Sequence, residues 1–190
     1  MQHIEHRRMS RRALQERLRE TDAVLQRMME EMKALQGLAF SDALTGLANR
    51  RALDERLQQE LSRAQRRPDR AFSVLIIDLD GFKQVNDQLG HAAGDQVLMR
   101  FARFLTGHLR THDVVARTGG DEFMVLLPDT CGAECAGAVQ RLRKAFEGFE
   151  IGCSIGGASW PGDGYSVNAL MIEADQAMYA DKRRRERKVA

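Results

Sequence analysis

Asp113-Val-Val-Ala-Arg-Thr-Gly-Gly-Asp-Glu-Phe-Met-Val-Leu-Leu127 holds two strand-like runs, 113–118 and 122–127, on either side of a glycine-containing turn. Two apolar runs joined so tightly signal a β-hairpin. Upstream, Phe72-Ser-Val-Leu-Ile-Ile-Asp78 is short, apolar and rich in β-branched residues, the composition of a buried strand. Working outward, Leu53, Leu57 and Leu61 fall on one face of a helix over 49–66 that stops near Pro68. A second helix spans 92–109, with Val97, Leu98, Phe101, Phe104 and Leu105 in period, and a third spans about 132–147. A strand at 151–158 ends in the loop Pro161-Gly-Asp-Gly164, and a last helix runs from about Ser166 into a basic tail. Helices alternating with strands, one strand pair forming a hairpin, predict an α/β sandwich around a mixed sheet.

Ahead of this pattern, residues 1–38 contain no proline and no glycine before Gly37. Leu14, Leu18, Thr21, Leu25, Met28, Met32 and Leu35 follow an alternating four-three spacing, a heptad seam with charges at most other positions. The seam predicts a parallel two-helix coiled coil that makes the protein a homodimer, with a single amphipathic helix packing on its own domain as the other reading. The chain therefore divides into a dimerisation helix over 1–38 and a domain over 39–190.

Bulk properties narrow the class. The chain has 190 residues, 43% of them hydrophobic and 29% charged, as expected of a soluble globular protein. A formal net charge of +2 gives no ground for a nucleic-acid partner. Lys182 to Lys188 carries six basic residues and one Glu, which suits a solvated helix C-terminus. Cys131, Cys135 and Cys153 are odd in number and lack metal-ligand spacing, so they read as thiols in a reducing compartment. No run of about 18 apolar residues offers a membrane span. The first residues have no apolar stretch after their charges and so do not form a secretory signal. A cytoplasmic location follows as the expectation.

Two acidic clusters lie at strand ends: Asp78 with Asp80, and Asp121 with Glu122 in the hairpin turn. Carboxylates held at a sheet edge beside backbone carbonyls suit a hard divalent cation that also binds phosphate. Lys83 adds a positive charge where phosphates would lie, and Gly81 lets backbone approach an anion closely. Asn86 and Asp95 suit a purine edge, and an Asp accepts the paired N1–H and N2–H₂ donors of guanine, which adenine lacks. These residues by themselves point to a magnesium-dependent nucleotidyl or phosphoryl transferase.

Five stretches make the pattern recognisable. Asp78-Leu-Asp-Gly-Phe-Lys-Gln-Val-Asn-Asp-Gln-Leu-Gly-His-Ala-Ala-Gly-Asp95 and Arg117-Thr-Gly-Gly-Asp-Glu-Phe123 strongly resemble the GGDEF-domain diguanylate cyclases. Asp42-Ala-Leu-Thr-Gly-Leu-Ala-Asn-Arg-Arg51, Ser154-Ile-Gly156 and Ala174-Asp-Gln-Ala-Met-Tyr-Ala-Asp-Lys182 match that family's opening and closing motifs. The resemblance, over about 42–182, implies a central five-stranded sheet flanked by helices, like nucleotide cyclase and polymerase palm domains. It implies condensation of two GTP into cyclic di-GMP by a dimer, with Mg²⁺, or Mn²⁺ in its place. Asp78, Asp121, Glu122 and the Leu79 carbonyl would hold the metal, and Asp121 would accept the ribose 3′-hydroxyl proton. Lys83 and Lys182 would meet the triphosphate, and Phe82, Asn86, His91 and Asp95 the guanosine. In this family such N-terminal helices relay a signal from a sensor, so the chain is expected to be a short output protein or the output end of a longer one.

Arg110-Thr-His-Asp113 stands at the spacing of the family's Arg-x-x-Asp inhibitory site, with Arg141 where a second arginine is expected. The resemblance thus implies cyclic di-GMP as an inhibitor as well as a product. One departure concerns the tail. Where the family commonly continues with two residues and then Gly-Arg-Asn, this chain reads Arg183-Arg-Arg-Glu-Arg-Lys188. Glu186 takes the position of the usual phosphate-binding arginine, leaving Arg185 and Arg187 as its possible replacements.

Overall fold

The computed structural model describes residues 2–67, 69–149 and 151–189, with the side chains of 13–32, 39–67, 69–149 and 151–187. It divides into two units, Met1–Ala39 and Phe40–Ala190. The first is one continuous helix, α1 (Gln2–Phe40). Its seam residues Leu14, Leu18, Leu25, Met28 and Met32 are each at least 52% exposed in the single chain. Thr21 turns its hydroxyl back to the Arg17 carbonyl at 2.8 Å, which leaves the seam one polar position without an unsatisfied donor. The side chain of Leu35, the last seam position, lies outside the described residues.

The second unit runs α2 (Arg50–Arg66), β1 (Phe72–Leu79), α3 (Phe82–Leu89), α4 (His91–His108), β2 (Val114–Arg117), β3 (Glu122–Pro128), α5 (Gly132–Phe146), β4 (Cys153–Trp160) and α6 (Val167–Val189). Asn49 caps α2 by accepting the Ala52 N–H at 3.0 Å. Leu53, Leu57 and Ala64 of α2 are buried. The short helix α3 lies inside the Asp78–Asp95 motif, where periodicity predicts no helix before residue 92. Eight residues between Gly81 and Gly90 give two turns, too few for a periodic signal. Strand β4 begins and ends two residues later than expected.

The sheet differs from expectation in a second way. Its order is β2-β3-β1-β4, and every strand pairing is antiparallel. The described residues form four strands rather than the five that the resemblance implied, and the sheet is not mixed. The helical connections do join strands that point the same way, β1 to β2 and β3 to β4. Each crossover skips a strand, however, so β3 lies between β1 and β2, and β1 between β3 and β4. The only parallel contact among the described residues is the isolated bridge between Ala48 and Ala116.

Alternation along the strands fills two cores. Leu75, Ile77, Phe123, Val125 and Ile155 face α3, α4 and α5. Phe101 anchors that side, with ring centroids 4.7 Å from Phe123 and 4.9 Å from Phe146. On the other face, Val74, Ile76, Met124 and Leu126 pack with Leu53 and Leu57 of α2 and with Leu170 and Ala174 of α6. Gly156 permits this approach, since a Cβ there would strike the Ala174 carbonyl and the Met178 backbone of α6.

Candidate active site

Register does most of the assembly. Asp78, at the end of the central strand β1, lies opposite Glu122 of β3 on one side and Ser154 of β4 on the other. The Leu79 N–H reaches the Asp121 carbonyl at 3.3 Å, and the Asp80 N–H reaches the Gly152 carbonyl at 2.9 Å. The two acidic clusters are thereby brought to one sheet end. Asp121 is half-buried and Glu122 exposed. Burial first, and then the neighbouring Asp78 charge, push the Asp121 carboxyl above its ordinary value. Burial also raises Asp80, although Ser154 donates a 2.6 Å hydrogen bond to it and the Arg185 charge works the other way.

Cations from α6 answer these acids. Lys182 Nζ lies 2.6 Å from Asp78 Oδ1. That hydrogen bond first, and then the charges of Asp78, Asp80 and Asp121, raise the Lys182 pKa against the opposing effect of burial. Arg185 stands 3.7 Å from Asp80 and 3.7 Å from Asp181. Of the two possible replacements in the tail, then, Arg185 turns to the acidic cluster, and Arg187 forms no ion pair among the described residues.

Among the described residues no three carboxylate, imidazole or thiol side chains converge closely enough to hold an ion unaided. Two nearby carboxylates whose charges raise one another's cost, beside backbone carbonyls, still suit a divalent cation that takes its remaining oxygens from phosphate and water. The donor set thus fits such an ion.

The residues expected to meet the nucleotide follow on α3 and α4. Gly81, with φ 76°, makes the left-handed turn out of β1 that starts α3. Phe82 is buried in the core below, and Lys83 is exposed with no ion pair among the described residues. Asn86 lies with its side-chain oxygen against Gly94, the residue before Asp95. His91 and Asp95 are exposed on the first turns of α4. The structure therefore brings Asn86 and the Asp95 turn together, while Phe82 supports the turn from beneath.

Two motif residues, Arg117 and Asp42, join distant parts of the chain. Arg117 donates to both Asp42 oxygens, at 3.2 and 3.3 Å, and from Nε and Nη2 to the Gly120 carbonyl, at 3.1 and 2.8 Å. One guanidinium thereby fixes the Gly119–Gly120 turn to the Asp42 loop. Burial works to raise the Asp42 carboxyl, but hydrogen bonds from Thr45 and the Arg117 charge outweigh it and hold the group below the ordinary value. Both residues stood inside recognised motifs, but only three-dimensional proximity pairs positions 75 residues apart.

A second cluster lies at the far end of the hairpin. Arg110, Asp113 and Arg141 line one cavity of about 120 Å³ together with Glu134. Asp113 Oδ2 accepts the Arg110 N–H at 2.7 Å, whereas its Oδ1 is buried with no hydrogen-bond partner. The cysteines divide: Cys131 is exposed at the start of α5, and Cys135 and Cys153 are buried. Burial pushes the Cys153 thiol up to about 12, which leaves it unreactive.

The class is an α/β domain built on an antiparallel sheet flanked by helices, with Asp78, Asp80 and Asp121 and the cations Lys182 and Arg185 gathered at one sheet end. Residues 39–188 match the family model described as diguanylate cyclase, GGDEF domain, and the chain belongs to that family. It is 44% identical over 153 residues to the bifunctional diguanylate cyclase/cyclic di-GMP phosphodiesterase MucR of Pseudomonas aeruginosa, covering 76% of this chain and 22% of MucR. It is 38% identical over 180 residues to the diguanylate cyclase DgcP of the same organism, covering 90% of this chain and 26% of DgcP. The chain thus spans about a quarter of those curated relatives. Among solved structures, the coiled coil and GGDEF domain of DgcB from Caulobacter crescentus in complex with c-di-GMP superposes with a TM-score of 0.78 at 29% identity, covering 90% of this chain and 94% of that one.

Proposed function

We propose that this chain is a diguanylate cyclase that condenses two GTP into cyclic di-GMP and two pyrophosphates. The observation that carries the reading is the meeting of Asp78 and Asp121 at one sheet end, with Lys182 delivered to them by α6. Asp78, Asp121, Glu122 and the Leu79 carbonyl would hold a divalent cation, Mg²⁺ or Mn²⁺. When bound, that cation supplies positive charge against the triphosphate. Asn86, His91 and Asp95 receive the guanosine, with Phe82 beneath them, and Asp95 selects guanine through its paired N–H donors. Lys83 and Lys182 meet the phosphates, and Arg185 takes the role vacated at Glu186.

Each domain holds one GTP. In a facing pair, each ribose 3′-oxygen forms a bond to the α-phosphorus of the opposite nucleotide. The α–β anhydride bond breaks, pyrophosphate leaves with the electron pair, and Asp121 receives the hydroxyl proton. Positioning and charge supply the acceleration, without a covalent intermediate.

Residues 1–38 act as the dimerisation helix and 39–190 as the catalytic domain. The exposed seam of α1 supports a parallel coiled coil that raises the local concentration of the second domain. Cyclic di-GMP also inhibits, by engaging Arg110, Asp113 and Arg141, and the buried Asp113 oxygen that accepts no hydrogen bond supports a ligand at that cavity. No described helix is long and apolar enough to cross a membrane. Dependence on GTP, together with three free cysteines, favours a cytoplasmic position. The test compares pyrophosphate release from GTP and from ATP by the native chain and by Asp121→Asn. Release from GTP alone, lost in the variant, is expected. Equal release from both nucleotides, or an unaffected variant, would overturn the assignment.

A further inference from the structure

The sheet has two edges, and they are finished differently. At β2 the chain covers the edge itself: Ala48 donates to the Val115 carbonyl at 3.2 Å and accepts the Arg117 N–H at 2.9 Å. At β4 the cover is only partial. Ile155 gives its outward N–H to Asp181 Oδ2 at 3.1 Å, and its carbonyl accepts Arg143 Nη2 at 3.0 Å. Four residues on, the Ser159 N–H reaches Asp163 Oδ2 and its carbonyl accepts the Asp163 N–H, both at 2.8 Å. Outward-facing residues alternate along an antiparallel strand, so Gly157, midway between these two, turns its N–H and C=O outward as well. Neither group has a partner among the described residues.

Gly157 opens into a cavity of about 360 Å³ between α5 and α6. Beside the larger Val139 and Gln140, its walls include Gly132 and Ala136 from α5 and Ala177 and Ala180 from α6, small residues past which another backbone can come close. A neighbouring cavity of about 710 Å³ shares Gln140, Arg143, Asp181 and Arg184 with it and adds Lys144. Asp181 there is already engaged by Arg143 at 3.0 Å and by Arg185 at 3.7 Å. Arg143, Lys144, Arg184 and Arg185 outnumber the carboxylates Asp181 and Glu147 there, and Arg184 and Lys144 form no ion pair among the described residues, so the mouth stays net positive.

We propose that this edge of β4 binds a short, extended, acidic peptide segment of a partner protein. One residue of the segment exchanges both backbone hydrogen bonds with Gly157, and a neighbouring carboxylate meets Arg184. The two flanking blocks, the Arg143–Asp181 pair and Asp163, set its length. Four strand steps of about 3.3 Å separate them, which admits three residues and no longer strand. The same blocks keep the edge from pairing freely with any exposed strand, so recognition requires the acidic side chain as well as backbone.

The experiment is an amide-resolved NMR titration of the ¹⁵N-labelled full chain with the acetylated, amidated peptide Ala-Asp-Val-Asp-Ala. A saturable shift of the Gly157 amide is expected, weakened at least tenfold in Arg184→Glu. Arg184 is exposed and has no part in the proposed nucleotide site, so that variant should keep its melting temperature and its turnover of GTP. An unmoved Gly157 amide at millimolar peptide overturns the proposal. So does equal binding of the neutral peptide Ala-Asn-Val-Asn-Ala, or equal binding by Arg184→Glu. A Gly157 shift that follows protein concentration without peptide assigns the edge to a second copy and also overturns it.

Discussion

Asp121 carries a conflict between stability and use. Its carboxyl is held above the ordinary value by burial and by Asp78, so the folded state binds its proton more tightly than the unfolded state does. Above the folded pKa this is a cost to stability, and the cost disappears once pH falls below the unfolded value near 4. Asp121→Asn should therefore melt about 1–3 °C higher than the native chain at pH 7 while losing about 10²–10³-fold or more in turnover. The difference in melting temperature should close as the pH is lowered towards 4; a constant gap would contradict the repulsion. Arg117 has the opposite sign. Its partner Asp42 is held below the ordinary value, so their bond contributes above the unfolded pKa and fades as pH falls through the folded one. Arg117→Ala should cost about 1.5–3 kcal/mol at pH 7 by denaturant unfolding, less at pH 3, and should lower kcat by freeing the Gly120 carbonyl.

At the scale of the element, the close approach of α6 to β4 holds Lys182 over Asp78. Gly156→Ala would drive a methyl group into the Ala174 carbonyl and the Met178 backbone, which cannot rotate aside. A loss of about 1–3 kcal/mol is expected from overpacking. Turnover should fall with it, because Lys182 and Arg185 ride on the displaced helix. An active, fully stable variant would show that α6 does not set the site. Legibility also divides here. Apolar runs announced β1, β2 and β3 almost to the residue, since buried strands leave a local signature. Their neighbours were not legible: the crossover from β1 to β2 implies parallel strands, and nothing local reveals that β3 inserts between them. The two-turn α3 was too short to show a period. In the tail, Arg183 to Lys188 looks interchangeable as a string. Helical spacing distinguishes it, because Arg185 is three residues from Lys182 and four from Asp181, on the same face, whereas Arg187 lies five from Lys182.

At the scale of the whole molecule, the proposed condensation needs two nucleotides, and one domain would carry half of it. The residues proposed for the metal and the guanosine stand in contiguous motifs, whereas the need for a second copy follows only from the chemistry of two GTP. The α1 seam supplies that copy in the proposed account. Leu18→Asp with Leu25→Asp should convert the dimer to a monomer by sedimentation and make specific activity rise with protein concentration. Native-like activity from a monomer would remove the helix from the mechanism. Arg110→Ala should leave initial turnover intact and relieve its decline as product accumulates. An unchanged decline would show that the cavity at Asp113 is not the inhibitory site. The most direct measurement of the account is the mass and stoichiometry of what the chain makes from GTP with Mg²⁺. One cyclic di-GMP for every two pyrophosphates released is the predicted result. GTP bound without product, or a product other than the cyclic dinucleotide, would contradict it.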